Sequence, residues 1–189
     1  MKYNYLKACL ISFGFFIFLG ACTKSNSGTS NNINAETSPF SAKIDNQAFP
    51  KAALEYTMVK YISSTKMLQV VGQPADRKET IVLTLMPFSG KVLTAADWKP
   101  GTYDFDPVHV SNKEYLASAE YNKWNGNGYD QWFTSWDHVK NGKIIIESNT
   151  GTKIKGSFYF DAVLKKSDGT FNATSIRKIT DGVFELDIK

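Results

Sequence analysis

Cysteine and histidine are both scarce in this sequence. Its 189 residues contain 2 cysteines, Cys9 and Cys22, and 2 histidines, His109 and His138. So few cysteines exclude a disulfide scaffold. The two histidines are not spaced as a His-x-x-x-His pair and have no cysteine ligands beside them, so no metal-binding motif is present. We therefore expect no metal and no cofactor, and both histidines are predicted to be structural or surface residues.

A strong charge of one sign is also missing. Lys and Arg total 22 against 18 Asp and Glu, and removal of Lys2 and Lys7 with an N-terminal signal leaves 20 against 18. A nucleic-acid-binding protein would concentrate basic residues on one face or helix, so we expect no nucleic acid partner. Hydrophobic residues make up 42% of the chain and aromatic residues 14%, which excludes a disordered chain and predicts an ordinary globular domain.

The N-terminus has the parts of a secretory signal. Lys2 and Lys7 precede an apolar run at residues 8–19, which is shorter than the roughly 20 residues that a membrane-spanning helix needs. The run ends in Leu-Gly-Ala-Cys, with the cysteine at position 22. This ending resembles the bacterial lipobox, in which the cysteine sulfur is joined to diacylglycerol, the peptide is cut before the cysteine, and the new N-terminus is acylated.

Cys22 is therefore the predicted lipid attachment site and the first residue of the mature chain. Removal of residues 1–21 takes Cys9 away, and an exported protein with one unpaired thiol is unusual. Lipidation explains the single thiol and makes the membrane a partner, because several buried acyl chains hold a protein where one chain would not. The alternative is an ordinary signal sequence with a chance cysteine near its end.

The residues after Cys22 are predicted to form a flexible tether. They are rich in Ser, Asn, Thr and Gly and nearly free of large apolar side chains. Such a segment cannot bury enough surface to offset the entropy of ordering it. The predicted organisation is a signal peptide at residues 1–21, a tether at residues 22–38 and one domain at residues 39–189, which is long enough for a single core.

Alternation of apolar and polar residues dominates the predicted domain. It predicts strands at residues 40–44, 54–59, 68–71, 81–86, 153–165, 171–175 and 182–188. Turns are predicted at residues 45–46, 63–65 and 168–169, and Asn141-Gly142 predicts a hairpin before residues 144–146. The one candidate for a short helical turn lies within residues 91–98.

These strands and turns predict an all-β fold. We expect an antiparallel β-sandwich of about nine to ten strands. A lipocalin-like β-barrel is the alternative, because frequent turns between short strands suit both architectures.

Four short sequences resemble marks of a known family. They are FSAKID at residues 40–45, PGTY at residues 100–103, KGSFYF at residues 155–160 and ITDGVF at residues 179–184. They are similar to F-x-A-x-I-(D/N)-G, G-T-Y, G-x-F-x-F and I-T-(D/E)-G-x-F in a family of uncharacterised lipoproteins of the Bacteroidota. Asn46-Gln47 departs from the pattern, where a glycine is usual. The resemblance implies an exported, lipid-anchored, all-β domain and brings no known activity or catalytic residue.

The same resemblance bears on localisation. In many surface-displayed lipoproteins of the Bacteroidota an acidic run follows the lipidated cysteine, and residues 23–38 lack such a run. By this comparison we expect a lipid-anchored outer-membrane protein on the periplasmic face. Display at the cell surface is the alternative.

Motifs for catalysis are missing, so no catalytic residue is predicted. There is no G-x-S-x-G for a nucleophile elbow, and Asn-Gly-Asn-Gly at residues 125–128 is not a phosphate-binding loop. Four aspartates remain as candidates for a Ca²⁺ site or an acid/base pair: Asp97, Asp104, Asp106 and Asp130. Asp104 and Asp106 would share one face of a strand, and the simpler interpretation is that this face is solvated.

One local enrichment is aromatic. Residues 115–136 contain three of the four tryptophans, interleaved with Asn, Asp and Gln. This composition is typical of sugar-binding surfaces, in which rings stack on pyranose faces and amides hold hydroxyl groups. The candidate ligand-binding residues are Trp124, Tyr129, Trp132 and Trp136. The alternative is that the rings belong to the core, although Trp124 and Tyr129 are expected to be exposed because they flank a Gly-rich loop.

Three functions remain open at this stage. The first is a non-catalytic binding or interaction module for a glycan or protein ligand. The second is a carboxylate-dependent glycan hydrolase, which needs two carboxyl groups about 5 to 9.5 Å apart in a cleft. The third is a structural envelope protein without a small ligand. Coplanar exposed rings beside a groove would favour glycan binding, buried rings would exclude it, and a cleft with paired acids would favour the hydrolase.

Overall fold

Antiparallel β-strands account for almost all regular structure in the described part of the chain. The computed structural model describes residues 38–88, 92, 94–105, 115–134 and 141–189. Its strands are β1 (Phe40–Ile44), β2 (Gln47–Ala48), β3 (Met58–Ile62), β4 (Met67–Gly72), β5 (Glu79–Pro87), β6 (Gly101–Asp104), β7 (Tyr115–Trp124), β8 (Tyr129–Phe133), β9 (Gly142–Asn149), β10 (Lys153–Lys165) and β11 (Phe171–Asp187). A 3-10 turn at Ala95–Asp97 lies where the helical turn was expected. The predicted signal peptide, Cys22 and the predicted tether up to residue 37 lie outside the described residues.

The strands form one open sheet that folds over on itself. Hydrogen bonds give the order β2-β1-β11-β10-β8-β7-β5-β4-β3, and β9 pairs with both β10 and β6. β10 changes partners along its length, from β9 at residues 154–160 to β8 at residues 163–165. Register shifts occur between Phe158 and Phe160 and between Val163 and Leu164. Such bulges bend a strand, so the long β10–β11 hairpin passes from one layer to the other.

Two layers enclose the core, as the sandwich prediction requires. The first layer contains β3, β4, β5, β7 and β8, and the second contains β1, β2, β6 and β9, with the β10–β11 hairpin shared between them. Leu68, Val70, Leu83 and Leu85 of the first layer line the same small interior space as Ile144, Ile146, Ile154 and Phe184 of the second. Within the described residues the end strands β2 and β3 do not pair with each other. β3 instead forms a parallel bridge from Val59 to Ile188, just after β11, and the amide of Lys189 donates to the carbonyl oxygen of Val59 at 2.9 Å.

The alternation in the sequence predicted most of these strands, but the strand predicted at residues 54–57 is a turn in the structure. Residues 54–57 alternate in polarity, yet they form a turn closed by the Tyr56 and Thr57 amides, which donate to the carbonyl oxygen of Ala53 at 3.0 and 2.9 Å. Leu54 is 63% exposed, so its apolar side chain is not a core position. The prediction of a strand at residues 54–57 was therefore wrong, because alternation over a few residues does not exclude a local turn. The short strands β2 and β6 raise the number of strands to 11, above the expected nine to ten.

Glycine and phenylalanine alternate across the β10–β11 pair. Gly156 lies opposite Phe184, and Phe158 lies opposite Gly182. A Cβ atom on Gly156 would lie 2.6 Å from Cζ of Phe184, and one on Gly182 would lie 2.5 Å from the ring of Phe158. Each phenylalanine ring therefore covers the glycine of the opposite strand, an arrangement that only a residue without a side chain permits. These contacts give the KGSFYF and ITDGVF sequences a structural explanation.

Within the part of the chain that the structure describes, no helix combines the length and the apolarity needed to cross a membrane.

Candidate ligand-binding surface

Trp124 and Tyr129 face each other at the end of a β-hairpin. They are cross-strand partners, Trp124 at the end of β7 and Tyr129 at the start of β8. Their ring centroids are 5.2 Å apart and the ring planes meet at 66°. Trp124 is 40% exposed and Tyr129 is 44% exposed. The sequence-based expectation that these two rings are accessible is met, but the rings are not coplanar and together form an open corner.

The loop between the two rings is held by side-chain hydrogen bonds. Oδ1 of Asn125 accepts hydrogen bonds from the amides of Asn127 and Gly128, both at 3.0 Å. Nδ2 of Asn125 donates to a carboxylate oxygen of Asp130 at 2.9 Å. Gly126 has a φ of +103°, a conformation that favours glycine. The Asn-Gly-Asn-Gly sequence therefore positions the two rings, and Asp130 contributes by holding Asn125.

A third ring, that of Tyr56, is connected to Tyr129 through Arg77. The hydroxyl of Tyr129 donates to the carbonyl oxygen of Arg77 at 2.8 Å. The guanidinium of Arg77 lies over the ring of Tyr56, 3.9 Å from its centroid. The amide of Trp124 also donates to the carbonyl oxygen of Lys78 at 2.7 Å, which joins the hairpin to the start of β5. We call Tyr56, Arg77, Trp124 and Tyr129 the hairpin aromatic surface.

A row of polar side chains lies beside this surface on the first layer. Asn122 pairs with Thr80 on one side and with Gln131 on the other. It is 6% exposed, and its Nδ2 donates to Oε1 of Glu120 at 3.1 Å. Among the described residues its Oδ1 has no hydrogen-bond partner. The row continues to Gln73, whose Nε2 donates to Oγ1 of Thr80 at 2.8 Å.

Glu120 is an acidic residue of this face that no sequence motif indicated. It is two residues before Asn122 on the same side of β7, and it lies opposite Phe133 of β8. Desolvation by burial raises the pKa of Glu120, while the hydrogen bond from Asn122 and the charge of Lys165 act in the opposite direction. The alternation of β7 could have placed Glu120 and Asn122 on one face, but it could not show that the outer face is partly buried.

Glu120→Gln is expected to raise the free energy of unfolding at neutral pH and to change it little in acid. Folding raises the pKa of Glu120, so the folded state binds this proton more tightly than the unfolded state does. That contribution to stability is complete below the ordinary pKa of a glutamate and is lost as the pH rises through the raised folded-state pKa. Glutamine removes the free-energy cost of burying a charged carboxylate, because its side chain stays neutral at every pH.

Urea unfolding of both proteins between about pH 4 and about pH 8 measures this effect. Glu147→Gln is the matched control, because the side chain of Glu147 is 44% exposed and bonds to Lys155 at the surface. A constant difference between Glu120→Gln and wild type across this pH range would contradict the prediction.

Trp132 is a core residue and not part of the hairpin aromatic surface. It is 4% exposed. Its ring stacks on Tyr121 with centroids 5.4 Å apart and planes at 28°, and the guanidinium of Arg177 lies 5.1 Å from it. Its position follows from strand alternation, because Tyr129 and Trp132 are three residues apart and point to opposite faces of β8. The fourth candidate, Trp136, lies outside the described residues.

The described candidate acids lie on different elements: Asp97 on the 3-10 turn, Asp104 on β6 and Asp130 on β8. Asp104 is exposed on β6, which pairs with β9, whereas Asp130 is on β8, which pairs with β7 and β10. Asp97 accepts hydrogen bonds from the amide and hydroxyl of Thr94 at 2.8 and 2.9 Å, and so closes the 3-10 turn. Asp106 lies outside the described residues.

His109 and His138 also lie outside the described residues. In the ranges that the structure describes, no three His, Cys, Asp or Glu side chains gather as metal ligands would.

Comparison with known proteins gives a family but no characterised relative. No curated protein and no solved structure is significantly similar to this chain. A family model described as "Domain of unknown function (DUF6252)" matches residues 36–185, from before β1 to Glu185 near the end of β11. Because the match includes well over half of the chain, the protein belongs to this family of domains of unknown function.

Proposed function

We propose that this protein is a non-catalytic binding module that holds a glycan on the hairpin aromatic surface. The observation that carries the proposal is the exposed pair of Trp124 and Tyr129, whose positions are maintained by hydrogen bonds of the hairpin. Exposed rings of this size are costly to leave in water, and pyranose faces are among the ligands that cover them. The ligand can gain contact area without a large ordering cost because the hairpin is already fixed.

The angle between the rings favours a particular shape of glycan. At 66° the two rings form a corner, so one sugar ring cannot lie flat on both. A bent chain or a chain end fits this corner, with one sugar stacked on Trp124 and the next against Tyr129. The exposed side chains of Gln131 and Asn127 supply donors and acceptors for hydroxyl groups. A flat crystalline polysaccharide surface would require coplanar rings.

We further propose that Cys22 carries the lipid that attaches this module to the outer membrane, with residues 22–38 as its tether. Support comes from the lipobox-like sequence before Cys22 and from the resemblance to lipoproteins of the Bacteroidota. The domain then faces the periplasm, because the tether lacks the acidic run of many surface-displayed lipoproteins. A membrane-held module increases the local concentration of its ligand at the envelope.

Trp124→Ala is expected to weaken the binding of the strongest ligand on a glycan array by about tenfold, because one stacking ring is lost. Isothermal titration calorimetry of purified wild type and variant with that ligand measures the change. Phe88→Ala is the matched control, because Phe88 is 50% exposed and lies at the opposite end of β5 from the hairpin. We expect this control to bind as wild type does.

Two outcomes would overturn the glycan proposal. The first is an array on which the wild-type protein binds no glycan. The second is unchanged affinity when Trp124→Ala and Tyr129→Ala are combined, since that would place binding elsewhere on the molecule. Circular dichroism of each variant checks that the all-β fold is retained.

A further inference from the structure

A depression lies on the outer face of the second layer, away from the hairpin aromatic surface. Its volume is about 490 Å³, within the range of small-ligand sites. It is lined by Ile145, Ser157, Phe158, Tyr159, Thr180, Asp181, Gly182 and Val183, from β9, β10 and β11.

The depression exists because a small residue lies between large ones. Ser157 pairs with Ile145 on one side and with Val183 on the other. Tyr159 follows two residues later on the same face of β10. Val183 is 47% exposed and Tyr159 is 36% exposed, so both rise from the sheet as accessible apolar walls. Ser157 at the centre forms the floor.

An irregularity in β11 adds a carboxylate to the rim. Thr180 pairs with Lys43 of β1 and Gly182 pairs with Phe158 of β10, whereas Asp181 between them has a φ of +52°. This left-handed conformation is uncommon for a residue other than glycine. It accompanies the bulge and turns the Asp181 side chain toward Lys43, whose Nζ lies 2.9 Å from its carboxylate.

The charges around the depression are arranged in pairs. Besides Lys43 with Asp181, Lys155 lies 3.3 Å from Glu147 and Lys153 lies 2.6 Å from Glu185. Nζ of Lys143 lies 5.6 Å from the ring centroid of Tyr159. Because each of the three ion pairs is neutral, they favour a neutral ligand with many hydroxyl groups over a strong anion.

We propose that this depression binds a neutral pyranose unit, independently of the hairpin aromatic surface. The C–H face of the sugar packs on Tyr159 and Val183, which are the exposed apolar walls. A pair of adjacent hydroxyl groups bonds to the Asp181–Lys43 pair, because the carboxylate accepts and the ammonium donates. The Ser157 hydroxyl lies beneath the ring as a further donor or acceptor.

The proposal is tested by a substitution that fills the depression with a bulky side chain. Ser157→Phe occupies the floor with a bulky side chain on a solvent-facing strand position, where aromatic residues are well accepted. Ser64→Phe, the same substitution at an exposed turn of the first layer, is the matched control. Both are made in purified full-length protein that already carries Trp124→Ala, so that the hairpin aromatic surface is impaired. The probes are cellohexaose, laminarihexaose, mannohexaose, maltohexaose and xylohexaose, titrated by calorimetry.

The Trp124→Ala protein is expected to bind at least one of these probes. Adding Ser157→Phe should weaken that binding by about tenfold, whereas adding Ser64→Phe should leave it unchanged. Tyr159→Ala and Asp181→Asn provide a second measurement that does not depend on how Ser157→Phe folds, and each is expected to weaken binding. Asparagine is chosen at position 181 because it tolerates a positive φ.

Failure of this proposal is distinguishable from failure of the first. If Trp124→Ala binds no probe, or binds equally well with and without Tyr159→Ala and Asp181→Asn, the depression is not a sugar site. If instead wild type and Trp124→Ala bind equally and both lose binding with Ser157→Phe, the hairpin proposal fails and the depression is supported.

Discussion

Gly156→Ala is expected to lower the free energy of unfolding by about 3 kcal/mol. An added Cβ would lie 2.2 Å from the carbonyl oxygen of Ile145 and 2.6 Å from Cζ of Phe184. The first obstacle is backbone within the β9–β10 ladder, so it cannot move aside by rotating a side chain. The second is a ring that is 2% exposed and packed in the core. Relief therefore requires two paired strands to separate, and equilibrium urea unfolding measures the cost.

Gly128→Ala is the matched control for this substitution. A Cβ on Gly128 would have no atom within 4 Å, and Gly128 is not among the glycines with positive φ. We expect its unfolding curve to stay close to that of wild type. Similar stability losses in the two variants would contradict the crowding explanation, because replacing an uncrowded glycine by alanine lowers the entropy of the unfolded chain and so does not by itself destabilise the fold.

Cys22→Ser is expected to abolish lipid attachment completely. The serine oxygen cannot form the thioether that the proposed modification requires, and cleavage before position 22 depends on that modification. The variant should incorporate no radiolabelled palmitate and should retain residues 1–21. Intact-protein mass spectrometry and the labelling experiment measure the two effects separately.

Cys9→Ser separates the role of Cys22 from a general effect of removing a thiol. Cys9 lies within the proposed signal segment, so this variant should be lipidated and cut as wild type is. If Cys22→Ser still carried lipid, or if wild type carried none, the proposed anchor would be wrong. The outcome does not depend on whether the domain binds a glycan, because the anchor and the binding surfaces are separate parts of the chain.

The four family-like sequences lie on the second layer and its edge. FSAKID forms β1 and the turn that follows it, PGTY leads into β6, and KGSFYF and ITDGVF lie in β10 and β11. Their phenylalanines pack in the core together with Gly156 and Gly182, whereas Gly101 is exposed. The hairpin aromatic surface is on the other layer and shares no residue with them. The four sequences therefore do not identify a ligand for the hairpin aromatic surface.

Alternation of apolar and polar residues, together with turn residues, was sufficient to predict much of the fold. Alternation in residues 153–165 predicted β10 with its buried face, because a strand exposed on one side places successive side chains on opposite faces. Turn residues predicted the ends of β1 and β10 for the same local reason, since Asp45, Asn46 and Gly169 adopt positive φ values. The accessible rings at Trp124 and Tyr129 were also predicted, because both flank a loop rich in glycine.

The sequence alone determined that this is an all-β domain with exposed rings at one Gly-rich loop, because those features follow from alternation and turn chemistry between near neighbours. The tertiary structure showed that this loop joins β7 and β8 in a hairpin. The tertiary structure decided which rings are buried, since the covering of Trp132 depends on Tyr121 and Arg177 from other strands. It also decided that Ser157 lies at the bottom of a depression, because Ile145, Val183 and Asp181 reach it only through the pairing of β9, β10 and β11. Contacts between residues far apart in the chain leave no periodic signal, so only the folded structure shows them.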